Sequence, residues 1–142
     1  MLFYYVRHGD PIYNPDSLTP LGQIQAEAVG RRLAMHGIDK IYASTSQRAI
    51  LTTTPLAEML HKDIEQVYFA NEDYTFKELT YKTPTGPRWQ FELTEIKEFF
   101  LSDEIAALGD KWYTHPKFAE YDYEAGLSRI ARESDAFFEK LG

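Results

Sequence analysis

An arginine and a histidine followed by glycine, Arg7-His8-Gly9, come directly after the apolar run Leu2–Val6. A short apolar run rich in aromatic residues predicts a buried strand, so both side chains would lie in the turn that ends it. Open α/β sheets bind their ligands at that end of their strands. A histidine in this position can act as a nucleophile, and an arginine can bind a phosphoryl group through two parallel hydrogen bonds.

A second turn of the same kind follows the apolar stretch from Ile38 to Ala43, which predicts a second strand. Ser44, Thr45 and Ser46 connect this stretch to a helical pattern that carries Arg48 near its start. Because a short helix-to-strand connection favours parallel strands, we expect His8 and Arg48 at the carboxyl ends of adjacent parallel strands, close enough to share one phosphate.

The remaining pattern up to Phe69 alternates helices and strands. Thr19 before Pro20 predicts a capped helix that Gly37 ends, and the segment between Gly9 and Ser17 is predicted to be a loop. The second helix runs towards Leu60, with Pro55 as a kink or an end point, and Ile64 to Phe69 predicts a third strand. This β-α-β-α-β order predicts a three-layer α/β/α sandwich with a mostly parallel central sheet.

The C-terminal half has a less regular pattern. Residues Thr80 to Arg88 predict a polar loop, and helices are predicted for Phe91 to Leu101, Asp103 to Leu108 and Ser128 to Leu141. No repeat or linker interrupts the chain, so its 142 residues are expected to form a single domain.

Composition narrows the class of protein. A formal net charge of -7 argues against nucleic acids and anionic membranes as binding partners, because binding to either requires a basic surface on the protein. The absence of cysteine excludes disulfides and thiolate catalysis, and the four scattered histidines predict no metal site. The N-terminus has too few apolar residues for a signal peptide or a membrane span. We therefore expect a cytoplasmic protein without cofactor, whose oligomeric state is left open.

The order and spacing of these motifs resemble the histidine phosphatase superfamily, the phosphoglycerate mutase-like proteins. The motifs that carry the resemblance are Arg7-His8-Gly9, Asn14, Leu18-Thr19 with Gly22, Gln25 and Ala26, and Tyr42-Ala43-Ser44 with Arg48 and Thr52. The resemblance implies a phosphatase acting on a small phosphorylated metabolite, with His8 as the nucleophile that forms a phosphohistidine. It further implies that Arg7, Asn14 and Arg48 bind the phosphate.

The resemblance also proposes a proton donor and a substrate-binding segment. Glu78 matches the family's acid, with Glu72 as the second candidate and Asp73 as the third; a solvated surface position is the alternative for Glu78. Lys82 and Arg88 lie in the segment that determines substrate specificity in the relatives. The alternative is that this segment is a basic surface loop without a role in binding.

Two further functions stay open beside hydrolysis. The first is a non-catalytic domain of the same fold that binds a phosphorylated ligand, and the second is phosphotransfer of the phosphoglycerate mutase type.

In the proteins that this chain resembles, a strand ending in a second histidine follows a helix like Ser128 to Leu141. We therefore expect a single histidine phosphatase-like domain, residues 1–142, whose usual C-terminal part is missing.

Overall fold

The computed structural model describes residues 1–75, 80–83, 86–89, 98–118 and 123–142. The chain divides into two compact units, Met1–Asn71 and Glu72–Gly142. Helices and strands both occur, as an α/β protein requires. Among the described residues, no helix combines the length and the apolar character needed to cross a bilayer.

The first unit contains four strands, two helices and one 3-10 turn. They are β1 (Pro11–Tyr13), β2 (Asp16–Leu18), α1 (Pro20–Ala34), β3 (Ile41–Ser44), α2 (Gln47–Leu60), β4 (Ile64–Val67) and the 3-10 turn Tyr68–Ala70. Helix α1 packs on α2, and β3 pairs with β4 in parallel from Ile41 opposite Ile64 to Ser44 opposite Val67. The second and third predicted strands are therefore confirmed as a parallel pair.

Local sequence signals set the start of α1. Thr19 is the N-cap, and its hydroxyl accepts a hydrogen bond from the Gly22 N–H at 3.1 Å. Proline follows at the first helical position, where its missing N–H costs no helical hydrogen bond. The predicted cap is confirmed, and helix α2 is found to continue through Pro55 rather than end there.

The core of this unit lies where α1 and α2 cover the parallel strands. Its buried centre is Ile41, Leu56 and Ala57, and Leu33, Ala34, Ile38, Leu60 and Ile64 pack around it. A methyl group at Gly30 would lie 3.1 Å from the Leu56 nitrogen, so the missing side chain lets the two helices approach closely.

The predicted first strand is not formed. Residues 1–9 contain no strand, and the side chains of Leu2 and Tyr5 are 75% and 91% exposed. A β-forming sequence becomes a strand only when a neighbouring strand supplies its ladder hydrogen bonds, and among the described strands β3 pairs with β4 alone. The prediction of His8 at the end of a strand is therefore wrong.

The predicted loop between Gly9 and Ser17 is also wrong in part. Strands β1 and β2 form an antiparallel hairpin in which Pro11 faces Leu18 and Tyr13 faces Asp16. Asn14 and Pro15 make the two-residue connection. Proline is tolerated as the first residue of an edge strand, which explains how a proline-containing segment can still pair.

The second unit contains the hairpin strands β5 (Thr80–Thr83) and β6 (Gly86–Trp89) and the helices α3 (Glu72–Thr75), α4 (Asp103–Leu108) and α5 (Tyr123–Leu141). Two short 3-10 segments, Gly109–Thr114 and Pro116–Phe118, follow α4. Its buried hydrophobic cluster is centred on Phe99, Ile105 and Phe118.

Four elements are predicted for this unit. Helix α4 is confirmed, and α5 covers the predicted helix but begins five residues earlier. The predicted loop from Thr80 to Arg88 is wrong, because β5 and β6 pair there with Pro87 on an edge strand. Of the predicted helix from Phe91 to Leu101, residues 91–97 lie outside the described part, and residues 98–100 are helical.

Candidate active site

The turn that carries His8 is attached to helix α2. The buried Gly9 N–H donates to the Thr52 hydroxyl at 3.0 Å, and that hydroxyl donates to the Arg48 carbonyl oxygen at 2.7 Å. Thr52 is only 6% exposed, so both hydrogen bonds are shielded from water. They connect the turn of the predicted nucleophile with the helical turn of the predicted phosphate-binding arginine.

The same turn is attached to helix α1 on its other side. The Asp10 N–H donates to the Gln25 side-chain oxygen at 2.7 Å, and the Thr19 hydroxyl donates to the Asp10 carboxylate at 2.7 Å. A methyl group on Gly9 would lie 2.6 Å from the Gly22 carbonyl oxygen, and one on Gly22 would overlap the Asp10 carbonyl oxygen. Only glycine therefore fits on both sides of this contact.

The imidazole of His8 has a defined tautomer. Its Nδ1 lies 2.7 Å from the Gly9 carbonyl oxygen, and the side chain is half-buried. A carbonyl oxygen can only accept a hydrogen bond, so Nδ1 carries the hydrogen. In the neutral ring, Nε2 then presents a lone pair, which is what a nucleophile needs.

Arg48 is held by the β1–β2 hairpin. Its NH1 group lies 2.9 Å from Oδ1 of Asp16, and the two side chains are 11% and 31% exposed. The second oxygen of Asp16 accepts from the Gln47 N–H at 2.7 Å, at the first turn of α2. The Tyr13 ring lies opposite the guanidinium, with 5.3 Å between its centre and Cζ.

Comparison with protein-family models decides the family. The model of the histidine phosphatase superfamily (branch 1) matches residues 3–100, a segment that includes all of these contacts. This chain belongs to the histidine phosphatase superfamily. The resemblance found in the motifs around His8 is thereby confirmed at the level of the family.

Named relatives carry phosphatase descriptions. "Putative phosphoserine phosphatase 2" of Hydrogenobacter thermophilus is 23% identical over 147 residues, an alignment that covers 97% of this chain and 65% of the relative. The chain thus spans just under two thirds of the length of that relative.

Solved structures include similar chains. "Mycobacterial hydrolase 1" and the native mycobacterial glucosyl-3-phosphoglycerate phosphatase are each 17% identical to this chain, with a TM-score of 0.41. Each alignment covers 80% of this chain, and 69% and 68% of the respective structures.

The predicted phosphate-binding residues of this histidine phosphatase superfamily member all lie in the first unit. Arg7 precedes His8 and is exposed, and Asn14 is exposed in the hairpin turn between Tyr13 and Asp16, which both contact Arg48. His8 and Arg48 are not at the ends of adjacent strands as predicted. Their segments are instead joined through the Gly9–Thr52 hydrogen bond.

The predicted proton donor and substrate-binding residues belong to the second unit. Glu78 lies outside the described residues, and Glu72 is exposed at the start of α3. Lys82 and Arg88 lie on the paired strands β5 and β6, and their side chains are outside the described part. The roles of these residues stay predictions.

Sequence reasoning missed Asp16 and Tyr13. Asp16 lies in the segment between Gly9 and Ser17 that the sequence predicts to be a loop, where aspartate is a common turn residue. Its contact with Arg48 joins residues 32 positions apart, and no local pattern indicates such a pairing. Thr52 belonged to the motif, but its link to Gly9 appears only in the folded chain.

Proposed function

We propose that this chain belongs to a phosphatase that hydrolyses a small phosphorylated metabolite through a phosphohistidine on His8. Membership of the histidine phosphatase superfamily and the phosphatase description of the Hydrogenobacter relative support the reaction class. The observation that carries the proposal is the relay from the Gly9 N–H through the Thr52 hydroxyl to the Arg48 carbonyl. It links the segment of a nucleophile to the segment of a phosphate-binding cation.

In the first step, Nε2 of His8 attacks the phosphorus and the ester P–O bond breaks. The hydrogen bond from Nδ1 to the Gly9 carbonyl holds the ring in the tautomer whose Nε2 lone pair is available. The leaving oxygen takes a proton from Glu78. In the second step, water gives a proton back to Glu78 and attacks the phosphohistidine, and cleavage of the P–N bond releases inorganic phosphate.

Positive and polar side chains bind the phosphoryl group during both steps. Arg7, Arg48 and Asn14 supply the donors to its equatorial oxygens. Each arginine is expected to contribute about 2–4 kcal/mol of transition-state stabilisation if it behaves like one preorganised oxyanion donor. Lys82 and Arg88 are proposed to choose among anionic phosphoesters.

The proposed scaffold of the whole domain is a three-layer α/β/α sandwich with a mostly parallel central sheet. The parallel β3–β4 pair, with α2 starting directly after β3, supports this arrangement. Turns at the carboxyl ends of such strands are where open sheets bind ligands. A cytoplasmic location is proposed with it, from the composition alone.

The test is detection of the phosphoenzyme. The protein is mixed with p-nitrophenyl phosphate, quenched in alkali, and analysed by mass spectrometry for a phosphate group that alkali preserves and acid removes. His8→Ala is expected to abolish both this species and nitrophenol release, whereas the exposed His36→Ala retains both. A phosphoenzyme that persists in His8→Ala would contradict the proposal, and binding of inorganic phosphate without hydrolysis would favour the non-catalytic alternative.

A second arm tests the proton donor. Glu78→Gln is expected to slow alkyl phosphates far more than p-nitrophenyl phosphate, because only a poor leaving group needs a proton in the transition state. Equal loss on both substrates would contradict the assignment of Glu78 and leave that of His8 intact.

A further inference from the structure

We infer that Asp16 is a positioning residue for phosphoryl transfer: its carboxylate fixes the direction in which Arg48 presents its guanidinium to the substrate. The inference rests on the proposed function, because it takes Arg48 as a ligand of the phosphoryl group. Asp16 is not among the motif residues that carry the family resemblance.

The Asp16 carboxylate uses its two oxygens for two different donors. Oδ1 lies 2.9 Å from NH1 of Arg48, and Oδ2 accepts the Gln47 N–H at 2.7 Å. The backbone of α2 therefore fixes one oxygen while the other holds the arginine of the next residue. Rotation of the carboxylate would break one of these bonds, so the NH1 group is fixed relative to the helix.

The strand opposite Asp16 in the hairpin supplies a second restraint on Arg48. Tyr13 is the cross-strand partner of Asp16 in the β1–β2 hairpin, and its ring centre lies 5.3 Å from Cζ of Arg48. A ring and a carboxylate from one hairpin thus restrain a planar group in two ways. Orientation matters here because a guanidinium binds phosphate best when its plane presents two parallel N–H groups.

The ion pair of Asp16 and Arg48 is also partly buried. With the Arg48 side chain 11% exposed, its pair with Asp16 is less screened by salt than a surface pair. The pair of Glu27 and Arg31 on α1, 3.3 Å apart with side chains 57% and 62% exposed, provides the contrasting surface case in the same unit. Ordering of a side chain by an ion pair is expected only in the first of these two.

Because Asp16 is negatively charged, charge repulsion and positioning predict opposite changes in phosphate affinity when its charge is removed. A carboxylate beside a phosphate-binding arginine repels the phosphate, so its charge alone predicts that Asp16→Asn strengthens phosphate binding. Positioning predicts the opposite, since asparagine has an NH2 donor in place of one carboxylate oxygen, so that only one of the two donors, Arg48 or Gln47, keeps its acceptor. If Asp16 only stabilises the start of α2, its substitution is expected to lower the free energy of unfolding and to leave the phosphate affinity unchanged.

The experiment is a double-mutant cycle of Asp16→Ala and Arg48→Ala, measured with p-nitrophenyl phosphate. Asp16→Ala is expected to lower kcat/KM about 10- to 100-fold, mainly through kcat, as misplacement of a transition-state ligand does. In the Arg48→Ala background the same change is expected to have less than about a twofold effect, because the arginine that it positions is absent. Glu27→Ala also removes a carboxylate that is paired with an arginine, and its kcat/KM is expected to equal that of the wild-type protein.

A second readout does not depend on turnover. The same proteins are titrated with inorganic phosphate by calorimetry, and Asp16→Asn, which retains part of the contacts, covers the case in which Asp16→Ala does not fold. Weaker phosphate binding by Asp16→Asn supports the inference, and equal or tighter binding overturns it.

The outcomes separate this inference from the proposed function. An Arg48→Ala protein with unchanged kinetics and phosphate affinity would remove the phosphate-binding role of Arg48 on which both rest. An impaired Arg48→Ala together with an unaffected Asp16→Ala, or independent effects that multiply in the double variant, would overturn the inference and leave the proposed function standing.

Discussion

Replacement of Thr52 by valine tests whether the relay to Gly9 stabilises the turn that carries His8. Valine has nearly the shape of threonine but no hydroxyl, so the change leaves the buried Gly9 N–H without its acceptor at 3.0 Å. An unsatisfied buried donor costs about 1–3 kcal/mol, and we expect a loss of about 2 kcal/mol in the free energy of unfolding.

The chain offers a matched control in Thr54→Val. Thr52 and Thr54 both donate to the carbonyl oxygen four residues earlier in α2, at 2.7 Å and 2.8 Å, but among the described contacts only Thr52 also accepts from Gly9. Such bonds within a helix add little stability, so Thr54→Val is expected to change it by less than about 0.5 kcal/mol. The difference between the two variants therefore isolates the bond to Gly9.

Urea unfolding and amide exchange measure the effect. With a slope of about 2 kcal/mol per molar urea, Thr52→Val is expected to unfold about 1 M earlier. The Gly9 amide is expected to exchange faster, and kcat/KM on p-nitrophenyl phosphate to fall about tenfold as the His8 turn loses its position. Thr52→Ser retains the hydroxyl and is expected to keep most of the activity. Equal midpoints for the two valine variants, with unchanged exchange at Gly9, would refute the reasoning.

Two further predictions concern backbone contact and pH. Gly22→Ala is expected to lower the free energy of unfolding by more than about 2 kcal/mol, since its methyl group would overlap the Asp10 carbonyl oxygen; stability unchanged in urea would show that the loop can move away. In the second unit, the hydrogen bond to Glu133 raises the pKa of Tyr74 above its usual 10.0. Its stabilising contribution is therefore fully present below pH 10 and lost as the pH rises through the raised pKa. Glu133→Ala is expected to lower the Tyr74 pKa in a ring-carbon NMR titration, and a value unchanged by the substitution would contradict this cause.

Sequence reasoning succeeded where the determinants are local. The cap at Thr19, the proline after it and the apolar spacing of α2 lie within one or two turns of the residues they affect, and these elements are confirmed. The parallel pairing of β3 and β4 follows from their connection through a single helix.

It failed where a distant partner decides the structure. Leu2–Val6 has the composition of a strand, but strand formation depends on a neighbour that its own residues do not specify. Asp16 illustrates the same limit for the site, because a turn aspartate becomes an arginine ligand only when α2 lies beside the hairpin. The His8 tautomer likewise requires coordinates, since it depends on the position of one carbonyl oxygen.

The first two turns of α2 explain how two distant segments keep a common geometry. Arg48 and Thr52 are four residues apart and therefore lie one above the other on the same helix face. Thr52 binds the turn of His8, while Asp16 binds Arg48 and the backbone at Gln47. A shift of α2 would thus carry the turn and the arginine together and preserve their spacing. Precision of this kind, set by one rigid element with hydrogen-bonded support, is what transfer of a phosphoryl group requires of the residues that attack and bind it.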